Sequence, residues 1–273
     1  MSLAAVTIRK HAKRTRQVDL LLGRIALAAT FIGLWQIGAT TKVIDPTIVS
    51  SPGAIWQHLV KWSLDGTLWF HATITIEETL LGFVIGAVAG IVLGFLIGGN
   101  KTLAELIDPF ILAFYSVPKV ALAPLFVVWF GIGMPMKVIL AAVTVVFIVF
   151  FNTLAGVRNV DTDLADAVWL MGASRRQILV HVVIPSALSF ALTGVRIAIP
   201  YALIGAIIGE LVASNSGIGY LIASSGSQYD TAGVFAALLV LTIVALLLNA
   251  VVDAIDRRTS GWKIDSTLPL RGT

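Results

Sequence analysis

The stretch Arg158-Asn-Val-Asp-Thr-Asp-Leu-Ala-Asp-Ala-Val-Trp-Leu-Met-Gly-Ala-Ser-Arg-Arg-Gln-Ile-Leu-Val-His-Val-Val-Ile-Pro185 is the longest polar interruption between two apolar runs. It reads as two short helices with a sharp break between them. Asp161 or Thr162 is placed to cap the first, and Asp163 and Asp166 suit its positive N-terminal end. Leu164, Ala167, Val168 and Met171 recur on one face at helical spacing. Gly172 supplies a stop. After Ala173, Ser174 with Gln177 forms a capping-box pattern for the next helix, whose apolar side is Ile178, Leu179 and Val182. A stiff amphipathic elbow joined by a tight turn to an apolar helix transmits a push better than a loose loop does.

On both sides of this elbow the chain reads as membrane. Apolar residues make up 58% of the 273 residues and charged ones only 12%, with a mean hydropathy of +0.94. A globular domain carries about 25% charged residues, so this chain is too apolar to cover its own surface in water. Crossing a hydrocarbon core takes about 20 mostly apolar residues. Six segments qualify: Leu20–Thr40, His71–Gly98, Leu106–Phe130, Met136–Gly156, Ser186–Val212 and Thr231–Ile255. The expected architecture is therefore all-α and polytopic. Residues 1–19 form a basic N-terminal tail, 20–256 a transmembrane domain containing the 158–185 elbow, and 257–273 a C-terminal tail.

Six spans place both termini on one side, and the positive-inside rule makes that side the cytoplasm. The inner segments then hold Arg9, Lys10, Lys13, Arg14, Arg16, Lys101, Arg158, Arg175, Arg176, Arg257, Arg258, Lys263 and Arg271. The outer ones hold only Lys42, Lys61 and Lys137. The first apolar run is too long for a cleavable signal and no small-residue cleavage site follows it, so it is expected to stay as a membrane helix. Apolar runs beginning directly beside the basic ends argue against a nucleic-acid partner and for a lipid one. With no cysteine, disulfides, cysteine zinc sites and thiol chemistry are excluded.

Within the spans, Gly82, Gly86, Gly90, Gly94 and Gly98 recur every four residues. Such a stripe admits a neighbouring backbone closely, which favours helix packing in lipid. A helix that slides during a transport cycle would use the same face. Pro109, Pro118 and Pro124 lead us to expect a twice-broken third span carrying Lys119. Ser51-Pro52-Gly53 opens a short interfacial helix with Trp56 and Trp62. An ionisable group at mid-bilayer costs about 2.5–3.5 kcal/mol, so Glu77, Glu78, Lys119, Arg196 and Glu210 each need a partner or a wet path. Glu78, Lys119 and Glu210 are the candidates for lining a pathway.

The elbow resembles the EAA loop of binding-protein-dependent transport permeases, whose pattern is Glu-Ala-Ala, three residues, Gly, nine residues, then Ile-x-Leu-Pro. Here Asp166-Ala167-Val168, Gly172, Val182, Ile184 and Pro185 stand at those spacings, with Asp for Glu and Val for Ala. Asp108-Pro109, Ala123-Pro124-Leu125, Trp129-Phe130-Gly131-Ile132-Gly133, Gly217-Ile218-Gly219-Tyr220 and Trp262 extend the likeness. Together they resemble the nitrate/sulfonate/taurine branch of these permeases, from about Ser51 to Trp262. The resemblance implies a type I ATP-binding-cassette importer fold. A second copy would complete the pathway, two cytoplasmic ATP-binding subunits would bind the elbows, and an extracytoplasmic binding protein would deliver substrate. It also implies that Asp163, Asp166, Ala167, Met171, Gly172, Ala173, Ser174, Arg175 and Pro185 meet the ATPase. No cofactor or metal is implied, ATP being held by the partner. Glu77-Glu78-Thr79-Leu80 and Pro118-Lys119-Val120-Ala121-Leu122 look closer to members linked to pyrimidine vitamin precursors or riboflavin, while small organic anions remain the broad default.

Two other classes fit worse. The chain carries no Gly-x-x-x-x-Gly-Lys-Ser/Thr phosphate loop of its own. An intramembrane enzyme needs a nucleophile and base together, yet His11, His58, His71 and His181 fall in tails, loops or span ends. A secondary transporter usually has paired inverted repeats with broken helices in both halves, and no such repeat is evident.

Overall fold

The structure, a computed structural model, describes the backbone of residues 3–259 and the side chains of residues 19–255. Among the described residues every regular element is helical. The order is α1 (Leu3–Thr40), α2 (Pro46–Val49), α3 (Pro52–Leu64), α4 (Thr67–Gly98), α5 (Lys101–Ser116), a 3-10 turn (Lys119–Leu122), α6 (Ala123–Phe130) and α7 (Met134–Arg158). Then come α8 (Thr162–Leu170), α9 (Arg175–Ile178), a π turn (Leu179–Val183), α10 (Ile184–Val212), α11 (Ile218–Ser227) and α12 (Thr231–Thr259). Five helices are long and apolar enough to cross a membrane, and the bent α5–α6 pair makes a sixth when taken as one span.

Helix α7 is the centre, and small residues set its neighbours. A Cβ on Gly82 would lie 2.8 Å from the Val138 carbonyl, one on Gly86 2.6 Å from that of Ala142, and one on Gly90 2.8 Å from that of Val146. One on Gly94 would meet Thr153 Cβ at 2.6 Å. The glycine stripe of α4 therefore seats directly on α7. Positions rise together along both helices, so α4 and α7 run parallel. On the other flank Gly205 approaches Ala141 and Gly194 approaches Asn152, so α10 runs antiparallel to α7.

Two parallel helices in succession require the chain to return between them. The α5–α6 pair makes that return, bent by 81°. The break is single. Val117 before Pro118 is extended at ψ 126°, as the proline ring demands of its predecessor. The other two prolines do not break the chain, contrary to the expectation of two breaks. Pro124 falls in the first turn of α6, where no donor is lost. Pro109 sits inside α5, and the carbonyl it leaves free belongs to exposed Glu105.

A second core packs α3, α10, α11 and α12 around Trp62, Ile207, Ile218 and Val240. Ser51 caps α3 by accepting from the Ala54 N–H at 3.2 Å. Helix α1 stands at the margin, with Leu27, Phe31 and Leu34 exposed. Its backbone is already helical from Leu3, so the expected boundary at residue 19 does not interrupt the helix. Arg257 and Arg258 as side chains, and Trp262, Lys263 and Arg271 altogether, lie outside the described residues.

Candidate functional site

The elbow is built by local capping. Asp161 Oδ1 accepts from the N–H groups of Asp163 and Leu164 at 2.9 and 3.4 Å, which starts α8. Gly172 takes φ 90°, a conformation that costs a residue bearing a Cβ. Ser174 and Gln177 exchange bonds: the Ser174 N–H donates to Gln177 Oε1 at 2.8 Å and the Gln177 N–H to Ser174 Oγ at 3.4 Å. The second helix then continues into α10. The Ile184 N–H reaches back to the Leu179 carbonyl, a π-type bond made one residue before Pro185, which has no N–H to offer. From Arg175 to Val212 the chain is one rod of 38 residues, roughly 57 Å at 1.5 Å per residue.

No residue of α8 is buried. Asp163, Asp166, Ala167, Ser174, Arg175 and Pro185 are exposed and Ala173 half-buried. Trp169, Leu170 and Met171 are 62%, 78% and 85% exposed. Three large apolar side chains at the tip of a capped helix form a rigid surface with nothing among the described residues packed upon it. Behind it, Arg158 pairs with Asp108 at 3.7 Å, at the mouth of a cleft of about 770 Å³ between α5 and the start of α8.

At the far end of the rod lies a buried polar cluster. The Lys137 ammonium pairs with the Glu78 carboxylate, both almost fully enclosed. Apart from that pair, neither Glu78 oxygen meets a hydrogen-bond donor among the described residues, and the Glu210 carboxyl lies beside it. Glu210 accepts from Thr75 Oγ1 at 2.7 Å and from the Gly219 N–H at 2.6 Å. The Ile218 N–H donates to Thr75 Oγ1 at 2.8 Å and the Gly217 N–H to His71 Nδ1 at 2.9 Å. Three orphan donors at the start of α11 are thus capped by side chains of α4 and α10, with a carboxylate at the positive end of the helix. Lys137 also donates to Ser214 Oγ at 3.0 Å. The α10–α11 connection is therefore tied to α4 and α7 at every turn. Gly217 has φ 104° and a Cβ there would run into the Glu210 carboxylate, which explains glycine in Gly217-Ile218-Gly219-Tyr220.

This arrangement differs from the sequence expectation in one respect. Lys137, expected in an outer connection, is a buried residue of α7, with Glu78 as its counter-charge. Of the three candidates for lining a pathway, Glu78 and Glu210 are enclosed by the chain in this conformation, and Lys119 borders a separate cavity. Thr75, His71 and Lys137 complete the cluster without any local motif to announce them.

Lys119 lies elsewhere. It borders a cavity of about 360 Å³, open on one side, between α5, α7 and α10. Its ammonium sits 4.3 Å from the Tyr115 ring centre and 5.2 Å from that of Phe147, and donates to the Tyr115 carbonyl.

Comparison with known proteins gives the family and the fold. The family described as "Binding-protein-dependent transport system inner membrane component" matches residues 86–261. The chain is 32% identical to the taurine transport system permease protein TauC of Escherichia coli, over 91% of each chain. It is 31% identical to the putative aliphatic sulfonates transport permease protein SsuC of Bacillus subtilis, over 88% of this chain and 87% of that one. Among solved structures, the inward-facing MetNI methionine transporter aligns with a TM-score of 0.57 at 24% identity, over 72% of this chain and 96% of its counterpart. The fold is that of the type I importer permeases.

Proposed function

Since the chain belongs to the family of binding-protein-dependent transport system inner-membrane components, we propose that it is the permease subunit of an ATP-binding-cassette importer. It carries no ATPase or other catalysis itself. It moves a small organic solute of the sulfonate or taurine kind inward, as the names of its relatives support. Two cytoplasmic ATP-binding subunits grip the elbows of two copies, and an extracytoplasmic binding protein delivers the solute.

One observation carries this reading: the exposed apolar tip Trp169–Met171 on a capped, rigid elbow. Capping fixes the tip, and the continuous rod from Arg175 leads from it to the polar cluster at Glu210. A push on α8 is thereby delivered along α10 to the α11 end, which suits alternating access. Helix α10 runs back from α8 antiparallel to α7 and the start of α12 packs beside its far end, so α8 and the C-terminal end of α12 lie at the same end of the bundle. The basic-residue asymmetry makes that end cytoplasmic.

The test is reconstitution. The chain is co-expressed with an ATPase subunit and a binding protein of the taurine type, and placed in proteoliposomes with taurine as solute. The expected result is a co-purifying ATPase and uptake that requires ATP and the binding protein. A chain that purifies alone and supports no ATP-driven uptake sinks the reading. Orientation is checked separately: the chain has no cysteine, so Met171→Cys is a unique label site. An impermeant maleimide should reach it from the cytoplasmic side only.

A further inference from the structure

The cavity beside Lys119 has a chemistry that can be counted. Tyr115, Lys119, Thr144, Phe151, Asn152 and Tyr201 line it, and among the described residues no carboxylate does. Among the described residues Lys119 forms no ion pair. An ammonium has three donors. One goes to the Tyr115 carbonyl, so two remain for a guest. Thr144 gives its hydroxyl proton to the Leu140 carbonyl at 2.8 Å, and Asn152 gives one amide proton to the Ile148 carbonyl at 2.8 Å. Their oxygens stay open as acceptors.

The walls are aromatic. Tyr115 packs against Phe151 with ring centres 5.2 Å apart and against Phe147 at 5.8 Å, while Tyr201 lines the same cavity, 44% exposed. Rings present positive edges and negative faces, so they hold a flat guest edge-to-face or offset-stacked. A volume of about 360 Å³ is at the small end of the roughly 300–1,000 Å³ range of ligand pockets.

We propose that this cavity is a binding subsite for an organic monoanion with a flat aromatic body. The anionic group is held by Lys119 Nζ and the ring lies against Tyr115, Phe151 and Tyr201. One uncompensated cation selects a single negative charge. The absence of any lining carboxylate rejects cations of the same shape. The open oxygens of Thr144 and Asn152 accept from an amino or hydroxyl substituent on the guest. The role of the subsite in transport rests on the importer reading, whereas its occupancy does not.

The test uses the full-length chain in nanodiscs, without ATP, and radiolabelled benzenesulfonate measured by scintillation proximity. Empty nanodiscs correct for partition into lipid. Unlabelled benzenesulfonate should compete, methanesulfonate at least tenfold more weakly, and benzylammonium not at all. Lys119→Gln should weaken binding at least tenfold while Lys119→Arg stays within about threefold, and Phe151→Leu should weaken benzenesulfonate but not methanesulfonate. Equal competition by benzylammonium, or undiminished binding in Lys119→Gln, overturns the site, as does the absence of specific binding to the wild-type chain. The wild-type competition series stands even if a variant fails to fold. Failure of ATP-driven uptake with this binding intact would strike the importer reading instead.

Discussion

Thr75 Oγ1 donates to Glu210 Oε1 at 2.7 Å, across 135 residues of chain, while the Ile218 N–H donates to that same Thr75 oxygen at 2.8 Å. One hydroxyl thus serves as relay between a buried carboxyl on α10 and the N-terminus of α11. Helix α11 has only a glycine at its own N-cap, with no side-chain bond. Its start is fixed by α4 and α10, so the order of α11 reports on the packing of both.

Replacing Thr75 with Val keeps the volume and deletes the relay. Two buried partners are left unsatisfied, at about 1–3 kcal/mol for such groups. We expect Thr75→Val to lower the thermal midpoint in detergent and to raise hydrogen exchange at Ile218 specifically. Thr75→Ser keeps the hydroxyl and should restore most of both. A Val variant with wild-type exchange at Ile218 would mean that the relay does not hold α11.

Lys137 and Glu78 should behave as a unit. Lys137→Met strands a carboxylate with nearly no water access, and breaking a buried pair from one side costs about 3–5 kcal/mol. Removing both charges restores much of this, because a buried pair replaced by neutral groups is often neutral in stability. The double variant Glu78→Gln with Lys137→Met should therefore unfold at higher temperature than Lys137→Met alone. Additive losses in the double-mutant cycle would show that the two side chains do not depend on each other.

The elbow was legible in the sequence because every bond that makes it is local. Asp161, Gly172, Ser174 and Gln177 act over three residues or fewer, the range over which capping signals operate. The spans were legible because lipid imposes length and apolarity on each helix separately. The polar cluster was not legible. Its partners Thr75, Glu78, Lys137 and Glu210 meet only after three helices have packed, and a lysine near a span end looks identical in sequence whether it faces water or a buried glutamate. Helix α11 was missed for the same reason, its capping groups being on other helices. Pro109 and Pro124 were over-read. Pro124 stands in the first turn of α6, where the N–H it lacks is not needed, and Pro109 leaves free only the carbonyl of exposed Glu105.

The glycine stripe gives a prediction with a sign. In an exposed helix Gly→Ala gains about 1 kcal/mol from propensity. At Gly86 the added Cβ would stand 2.6 Å from the Ala142 carbonyl, a backbone atom that cannot rotate away. Forcing α4 off α7 costs about 1–3 kcal/mol, which outweighs the gain. Gly23 on α1 has nothing within 4 Å of its would-be Cβ. Gly86→Ala should lower the thermal midpoint and Gly23→Ala should leave it level or raise it. Equal shifts of one sign at both sites would mean that the stripe is not what sets the α4–α7 distance.

At the elbow, conformation and contact can be separated. Gly172 has open space where a Cβ would go, so Gly172→Ala suffers only the left-handed backbone cost of about 1–2 kcal/mol. Asn visits that region more readily, so Gly172→Asn should retain more function than Gly172→Ala. Met171, 85% exposed, contributes almost nothing to this chain's own packing. Met171→Asp should leave the thermal midpoint of the isolated subunit unchanged while lowering ATPase co-purification at least tenfold, because it sets a charge in an apolar contact. The pattern expected is therefore a backbone-limited loss at residue 172, ordered Ala below Asn, and a contact-limited loss at residue 171. If Met171→Asp still brings down the ATPase in full, the apolar tip of α8 is not the surface that the motor grips.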